Sequence, residues 1–258
     1  MKTALLVVSF GTVYPEVLES AVAPVEAVLS AAFPRFPCYR AFTGRRVRSL
    51  LMRKYRIEVD DVPTALDRIR SDGFSHVVIQ PTLLIPGEEY AGLLNTVQSS
   101  SAGLTVSVGA PLLHSDADLE RIIAVIQDTY PLPENSAMLL LGHGSQTDTF
   151  GIYQRLACKL RPTSVRLCTM QGSPSFSDGI QAIQELGVNR VFLVPLLLCA
   201  GSHAREHLTE YRTGSLLLML KEAGIHATPI LRGLGELKDV QQLYADKART
   251  AYETLLTL

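Results

Sequence analysis

Hydrophobic positions along this chain follow two alternating rhythms: short unbroken apolar runs, and longer stretches in which an apolar residue returns every third or fourth position. The short runs at residues 4–10, 37–43, 76–84 and 105–111 read as strands, and a continuous run implies burial on both faces. Between them lie stretches with helical spacing. Residues 16–32 place Val17, Val22, Val25, Val28 and Leu29 along one side and stop at Phe33-Pro34. Residues 43–55 set Val47, Leu50 and Leu51 among five cations, a basic amphipathic helix. A third helix opens at Asp61-Val62-Pro63 and closes at Gly73, and two more span residues 90–100 and 116–129. Strand and helix in alternation predict a parallel sheet with right-handed crossovers.

After the Pro-rich segment Tyr130 to Ser136, read as a hinge, the pattern starts again. Residues 137–145 repeat 4–12, so that Gly142-His143-Gly144-Ser145 stands where Ser9-Phe10-Gly11-Thr12 stood and His143 takes the place of Phe10. A helix at 150–160 and a strand at 165–170 follow in the earlier order. Gly187, Pro195 and Gly201 then fall on Gly73, Pro81 and Gly87, each 114 positions on, and His203 falls on Glu89. The expectation is an α/β chain of two similar lobes, 1–130 and 131–258, each a mainly parallel sheet flanked by helices, with loop ends facing across a cleft. A last strand at 227–231 leads to a helix at about 236–258, which has few partners left in its own lobe and is expected to pack back on the first.

Composition narrows the picture. With 258 residues, 47% of them hydrophobic, the chain can bury a large core. Its 24 basic residues balance 25 acidic ones, so no global field favours nucleic acid or a membrane surface, and an acidic ligand must meet a local basic patch. Cys38, Cys158, Cys168 and Cys199 form no CxxC pair and read as reduced, cytoplasmic thiols. The opening apolar run is too short for a signal peptide with a cleavage site, and none approaches the ~20 residues that span a bilayer. Homo-oligomerisation stays open.

Candidate chemistry gathers where the apolar run Leu139-Leu140-Leu141 stops at a histidine between two glycines, which lets the backbone turn sharply at a sheet's carboxyl edge, where α/β proteins bind ligands. His143, His203 and Glu89 are expected at such edges, a donor set suited to a borderline divalent ion such as cobalt, nickel, iron or zinc. His203 as a helix cap and Glu89 as an ordinary first-turn acid remain open alternatives. His207 lies one turn after His203, facing solvent, while His114 follows another strand end; His76 and His226 precede strands and read as structural. Three rival motifs are weaker. His203-Ala204-Arg205-Glu206-His207 spells H-x-x-E-H, but its first histidine is expected on a loop. Gly142-x-Gly144 has Thr147 where a dinucleotide loop needs its third glycine, and Ser145 lacks the G-x-S-x-G elbow of a nucleophile.

Taken in order, Leu5-Leu6-Val7-Val8-Ser9-Phe10-Gly11-Thr12, Arg40-Ala41-Phe42-Thr43, Gly87-Glu88-Glu89-Tyr90, Gly142-His143-Gly144, Ala200-Gly201-Ser202-His203-Ala204 and Gly233-Leu234-Gly235-Glu236 resemble the anaerobic cobaltochelatases of cobalamin biosynthesis. The resemblance spans nearly the whole chain. It implies two flavodoxin-like lobes, insertion of cobalt into sirohydrochlorin, kinship with ferrochelatases, and metal held by His143 and His203 before transfer. No cofactor is implied beyond the substrate metal, cobalt, with nickel or iron as alternatives. Ser9, Phe10, Gly11, Thr12, Arg45, Arg46, Gly87 and Ser145 are expected to line the tetrapyrrole, with Arg205 as a further partner for its carboxylates, and His143 and Glu89 to serve in catalysis, His143 as ion holder or as base. A non-catalytic tetrapyrrole or metal carrier would use the same residues. One departure stands out: Gln171, ahead of Ser173-Pro174, occupies the place where the family commonly has a metal-binding glutamate, and a neutral amide is the weaker ligand.

Overall fold

The computed structural model describes residues 2–145 and 151–258. Thr147 and the expected helix start at Phe150 lie outside the described residues. In chain order the elements are β1 (Thr3–Ser9), α1 (Pro15–Val17), a π turn (Leu18–Val22), α2 (Ala23–Ala32), β2 (Cys38–Phe42), α3 (Arg45–Tyr55), α4 (Val62–Ser71), β3 (His76–Pro81), α5 (Glu88–Ser100) and β4 (Thr105–Val108). There follow α6 (Asp116–Thr129), β5 (Ala137–Gly144), α7 (Ile152–Leu160), β6 (Val165–Gln171), α8 (Phe176–Gln184), β7 (Arg190–Leu196), α9 (Ser202–Leu208), α10 (Leu216–Glu222), β8 (His226–Pro229), a 3-10 turn (Leu234–Glu236) and α11 (Lys238–Leu255).

Two compact units emerge: Met1–His114 with Gly235–Leu258, and Ser115–Leu234. Each holds one four-stranded, all-parallel sheet, ordered β2-β1-β3-β4 in the first and β6-β5-β7-β8 in the second. In both, chain order reverses between the two central strands, which makes the carboxyl ends of β1 and β3, and of β5 and β7, the natural ligand positions. The repeat extends to register, since Leu5 lies opposite Val78 and Met138 opposite Phe192. The unbroken apolar runs have their physical reason here: Ala4 to Val8 and Ala137 to Leu141 are fully buried in strands paired on both sides.

In the first unit α11 lays a stripe of Val240, Tyr244, Ala248, Ala251 and Leu255 against α2, β3 and β4. Each large apolar side chain buried there contributes roughly 1.5–3 kcal/mol, and the Tyr244 hydroxyl donates to the Thr82 carbonyl at 2.9 Å. Gly235 just ahead of it passes so close to the π turn that a Cβ would lie 2.1 Å from the Ala21 carbonyl oxygen. In the second unit α6 is tied to α7 by the ion pair of Arg155 with Asp116 and by Lys159 with Glu120 at 2.8 Å.

Among the departures from expectation, the helix read over residues 16–32 is interrupted by the π turn Leu18–Val22, and two further helices differ for a local reason. The helix expected from Tyr90 starts at Glu88, because Gly87 takes the N-cap position and two acids in the first turn favour the positive end of the helix dipole. The helix α10 was not foreseen; Leu216-Leu217-Leu218-Met219-Leu220 has no polar face to show a period, and its start is set by Ser215 accepting from the Leu218 N–H at 3.2 Å.

Candidate functional site

At the rim of the second unit, Gly144 adopts φ +80°, and a Cβ there would sit 1.7 Å from the Gln171 carbonyl oxygen. A Cβ on Gly142 would meet the Tyr153 ring at 2.7 Å. The two glycines flanking His143 are therefore required by close packing, and the imidazole between them is exposed at the end of β5. Its Nδ1–H donates to the Gly144 carbonyl at 3.1 Å, the tautomer that leaves the Nε2 lone pair free for a ligand.

His203 reaches the same place from β7. Gly201 caps α9, and His203 is the second residue of that helix, the position Glu89 holds on α5. The His143 and His203 ring centroids are 5.5 Å apart at 78°. Two imidazoles bound to one ion at ordinary metal–nitrogen distances and a near-tetrahedral angle have centroids about 5 Å apart, so the pair is spaced for a shared cation. Partial desolvation, then the neighbouring His143, lowers the His203 pKa, which keeps its ring neutral and able to donate near neutral pH.

Gln171 closes β6 directly opposite Gly144, with its side chain exposed, and Ser145 follows β5 half-buried. Among the described residues no three His, Cys, Asp or Glu side chains converge as a metal site. The exposed Gln171 amide is a donor of another kind at the end of the neighbouring strand. His203 and His207 both lie on α9, so the expected loop position of His203 is corrected. His207 does not face solvent as expected. It is half-buried, its ring meets Phe176 edge-on at 5.2 Å, and burial followed by the charge of His203 lowers its pKa. Arg205 between them is half-buried.

The first unit repeats the frame with other side chains. Phe10 occupies the place of His143 and is 46% exposed. Gly11, at φ +94°, comes close enough to Phe42 that a Cβ would lie 2.5 Å from its ring. Ser9 is buried and accepts from Thr82 Oγ1 at 2.8 Å, and buried Thr12 accepts from the Tyr14 N–H at 3.4 Å, so both brace the loop from within. Beyond β3, Gly87 caps α5 and presents Glu88 and Glu89, both exposed. Arg45 and Arg46 are exposed at the start of α3, which has no acid in its first turn. His76 and His226 begin β3 and β8 at the opposite sheet edges, and His114 is exposed beyond β4.

Some features of this rim were not foreseen. A cavity of about 390 Å³ is lined by Phe42, Thr43, Arg48, Asp61, Glu89 and Leu93 among others, and a neighbouring hollow of about 480 Å³ includes Arg45 and Arg48. Arg48 pairs with Asp61 at 3.2 Å, while its Nε and the Thr43 hydroxyl are buried without hydrogen-bond partners. The run of cations in residues 45–56 was the only trace of this hollow in the sequence.

Residues 3–253 match the family described as cobalt chelatase (CbiK). The chain is 31% identical over 248 residues to the sirohydrochlorin cobaltochelatase of Salmonella typhimurium, covering 95% of this chain and 94% of that one. It is 31% identical over 230 residues to the sirohydrochlorin cobaltochelatase CbiKC of Nitratidesulfovibrio vulgaris, covering 86% and 81%. In fold it is similar to the sirohydrochlorin chelatase SirB of Bacillus subtilis subspecies spizizenii in complex with cobalt, with a TM-score of 0.65 at 17% identity over 98% of this chain and 97% of that one. A sequence matched almost end to end, with two imidazoles at the rim of one sheet, places this chain in the cobalt chelatase (CbiK) family.

Proposed function

We propose that this protein is an enzyme that inserts a divalent cation, cobalt before nickel or ferrous iron, into sirohydrochlorin in cobalamin biosynthesis. The observation that carries the reading is the His143–His203 pair at the strand ends where the second sheet reverses its order. Neutral imidazoles suit borderline first-row ions, and two of them with a neutral amide bind less tightly than a carboxylate set. Weak holding fits an ion that has to be given up.

Insertion exchanges one divalent ion for two pyrrole N–H protons. His143 and His203, with the Gln171 amide, hold the ion first. When the ion moves to the macrocycle, His143 Nε2 becomes free to take one proton, and the Glu89 carboxylate takes the other. Phe10 offers an exposed aromatic face to the tetrapyrrole. Arg45 and Arg46 pair with its carboxylates, with Arg205 as a further cation. Gly11, Gly87 and Ser145 let the backbone approach the macrocycle, and buried Ser9 and Thr12 hold that loop in shape. A cytoplasmic setting fits four free cysteines.

The test is the visible spectrum of sirohydrochlorin mixed with excess cobalt and a catalytic amount of protein. Many equivalents of product per protein support the enzyme; a change that stops at one equivalent makes the protein a carrier. The same assay with nickel and ferrous iron ranks the ions.

A further inference from the structure

We infer that His203 belongs to two cation stations, and that His207 is the second donor of the one not described above. This deepens the proposed function and rests on its assignment of the ion to His143 and His203. Three observations support it. His203 and His207 stand four residues apart on α9, so they share a helix face one turn apart, the spacing at which two helical histidines grip one divalent ion. The His207 ring is held edge-on against Phe176 at 5.2 Å, so its orientation is fixed by packing. Its Nδ1 is buried with no hydrogen-bond partner, an unmet polar atom that a bound cation would satisfy.

The same set does not form a three-histidine site, because no three such side chains converge among the described residues. What the geometry offers is two overlapping pairs, His203 with His207 and His203 with His143. An ion taken up by the first pair reaches the second by exchanging His207 for His143 while His203 stays bound. The cation thus keeps His203 as a ligand between capture and delivery to the rim: the bond to His207 breaks as the bond to His143 forms, and the Gln171 amide oxygen takes the place of a bound water.

The experiment is a titration of the full chain with cobalt chloride, without tetrapyrrole, followed by calorimetry and by the visible bands of bound cobalt. His143→Ala is expected to retain cobalt binding weakened roughly 10- to 100-fold. Adding His207→Phe, which keeps a ring against Phe176 and removes the donor, is expected to weaken it at least another tenfold. His203→Ala is expected to remove binding altogether. Equal affinity of His143→Ala and His143→Ala/His207→Phe, while His203→Ala abolishes binding, overturns the second station and leaves the proposed function standing. Undiminished binding by His203→Ala overturns both.

Discussion

The two units share sheet order, strand register and the cap that starts the helix after the third strand, yet opposite kinds of side chain stand at matching places. Where the first unit carries Phe10 and Glu89, the second carries His143 and His203. The backbone of a doubly wound sheet fixes only where a side chain emerges; residue type decides whether that place receives a macrocycle, a proton or an ion. On the proposed function the labour divides: the aromatic face, cations and acid of the first unit would serve the tetrapyrrole, and the imidazoles of the second the metal.

That division can be broken most severely at the imidazoles. His143→Ala and His203→Ala should each lower cobalt insertion at least about 1000-fold, equivalent to about 4 kcal/mol of transition-state stabilisation, with unchanged circular dichroism because both side chains are exposed. Normal turnover in either would remove that residue from the mechanism. The next largest effects compare the two turn glycines by denaturant unfolding. Gly144→Ala puts a Cβ against a backbone oxygen that cannot yield and should cost several kcal/mol, whereas Gly11→Ala meets the edge of the Phe42 ring and should cost less. The left-handed backbone alone accounts for about 1–2 kcal/mol in each.

The repeat was legible because burial and turn chemistry leave marks in composition. Fully buried central strands demand apolar runs, and glycines and prolines punctuate the two halves alike. His143 and His203 could be picked out because such residues are conspicuous at the end of an apolar run. What stayed hidden depends on distant packing. The hollow beside Arg48 exists only once α3, α4 and α5 assemble, and His207 reads as a solvent residue until Phe176, some thirty positions earlier, is folded against it. α10 escaped because the five consecutive apolar residues that make up most of it carry no period.

Smaller effects sharpen the contrast. Phe10→Ala should raise KM for sirohydrochlorin about tenfold and leave cobalt affinity unchanged, since it removes binding area from the unit that does not hold the ion. Acid should act on the second unit first. Because the His203 and His207 pKa values are lowered, the folded chain binds fewer protons than the unfolded chain below the ordinary histidine value of about 6.5. Stability and cobalt affinity should therefore hold from pH 8 down to about 6.5 and fall as pH drops from there through the folded values, and loss of affinity on raising pH over that range would contradict this sign. Smallest of all, Asp61→Ala removes the side chain that accepts from the Thr64 N–H at 3.0 Å at the start of α4. It should cost about 1 kcal/mol without changing cobalt affinity.

X-ray absorption on the cobalt-loaded protein tests the central claim most directly, by counting the imidazoles bound to the ion in the wild-type chain and in His203→Ala. Two in the wild type, and no imidazole-bound cobalt in the variant, are expected. An all-oxygen shell, or one that His203→Ala leaves unchanged, would contradict the assignment of the ion to the second unit.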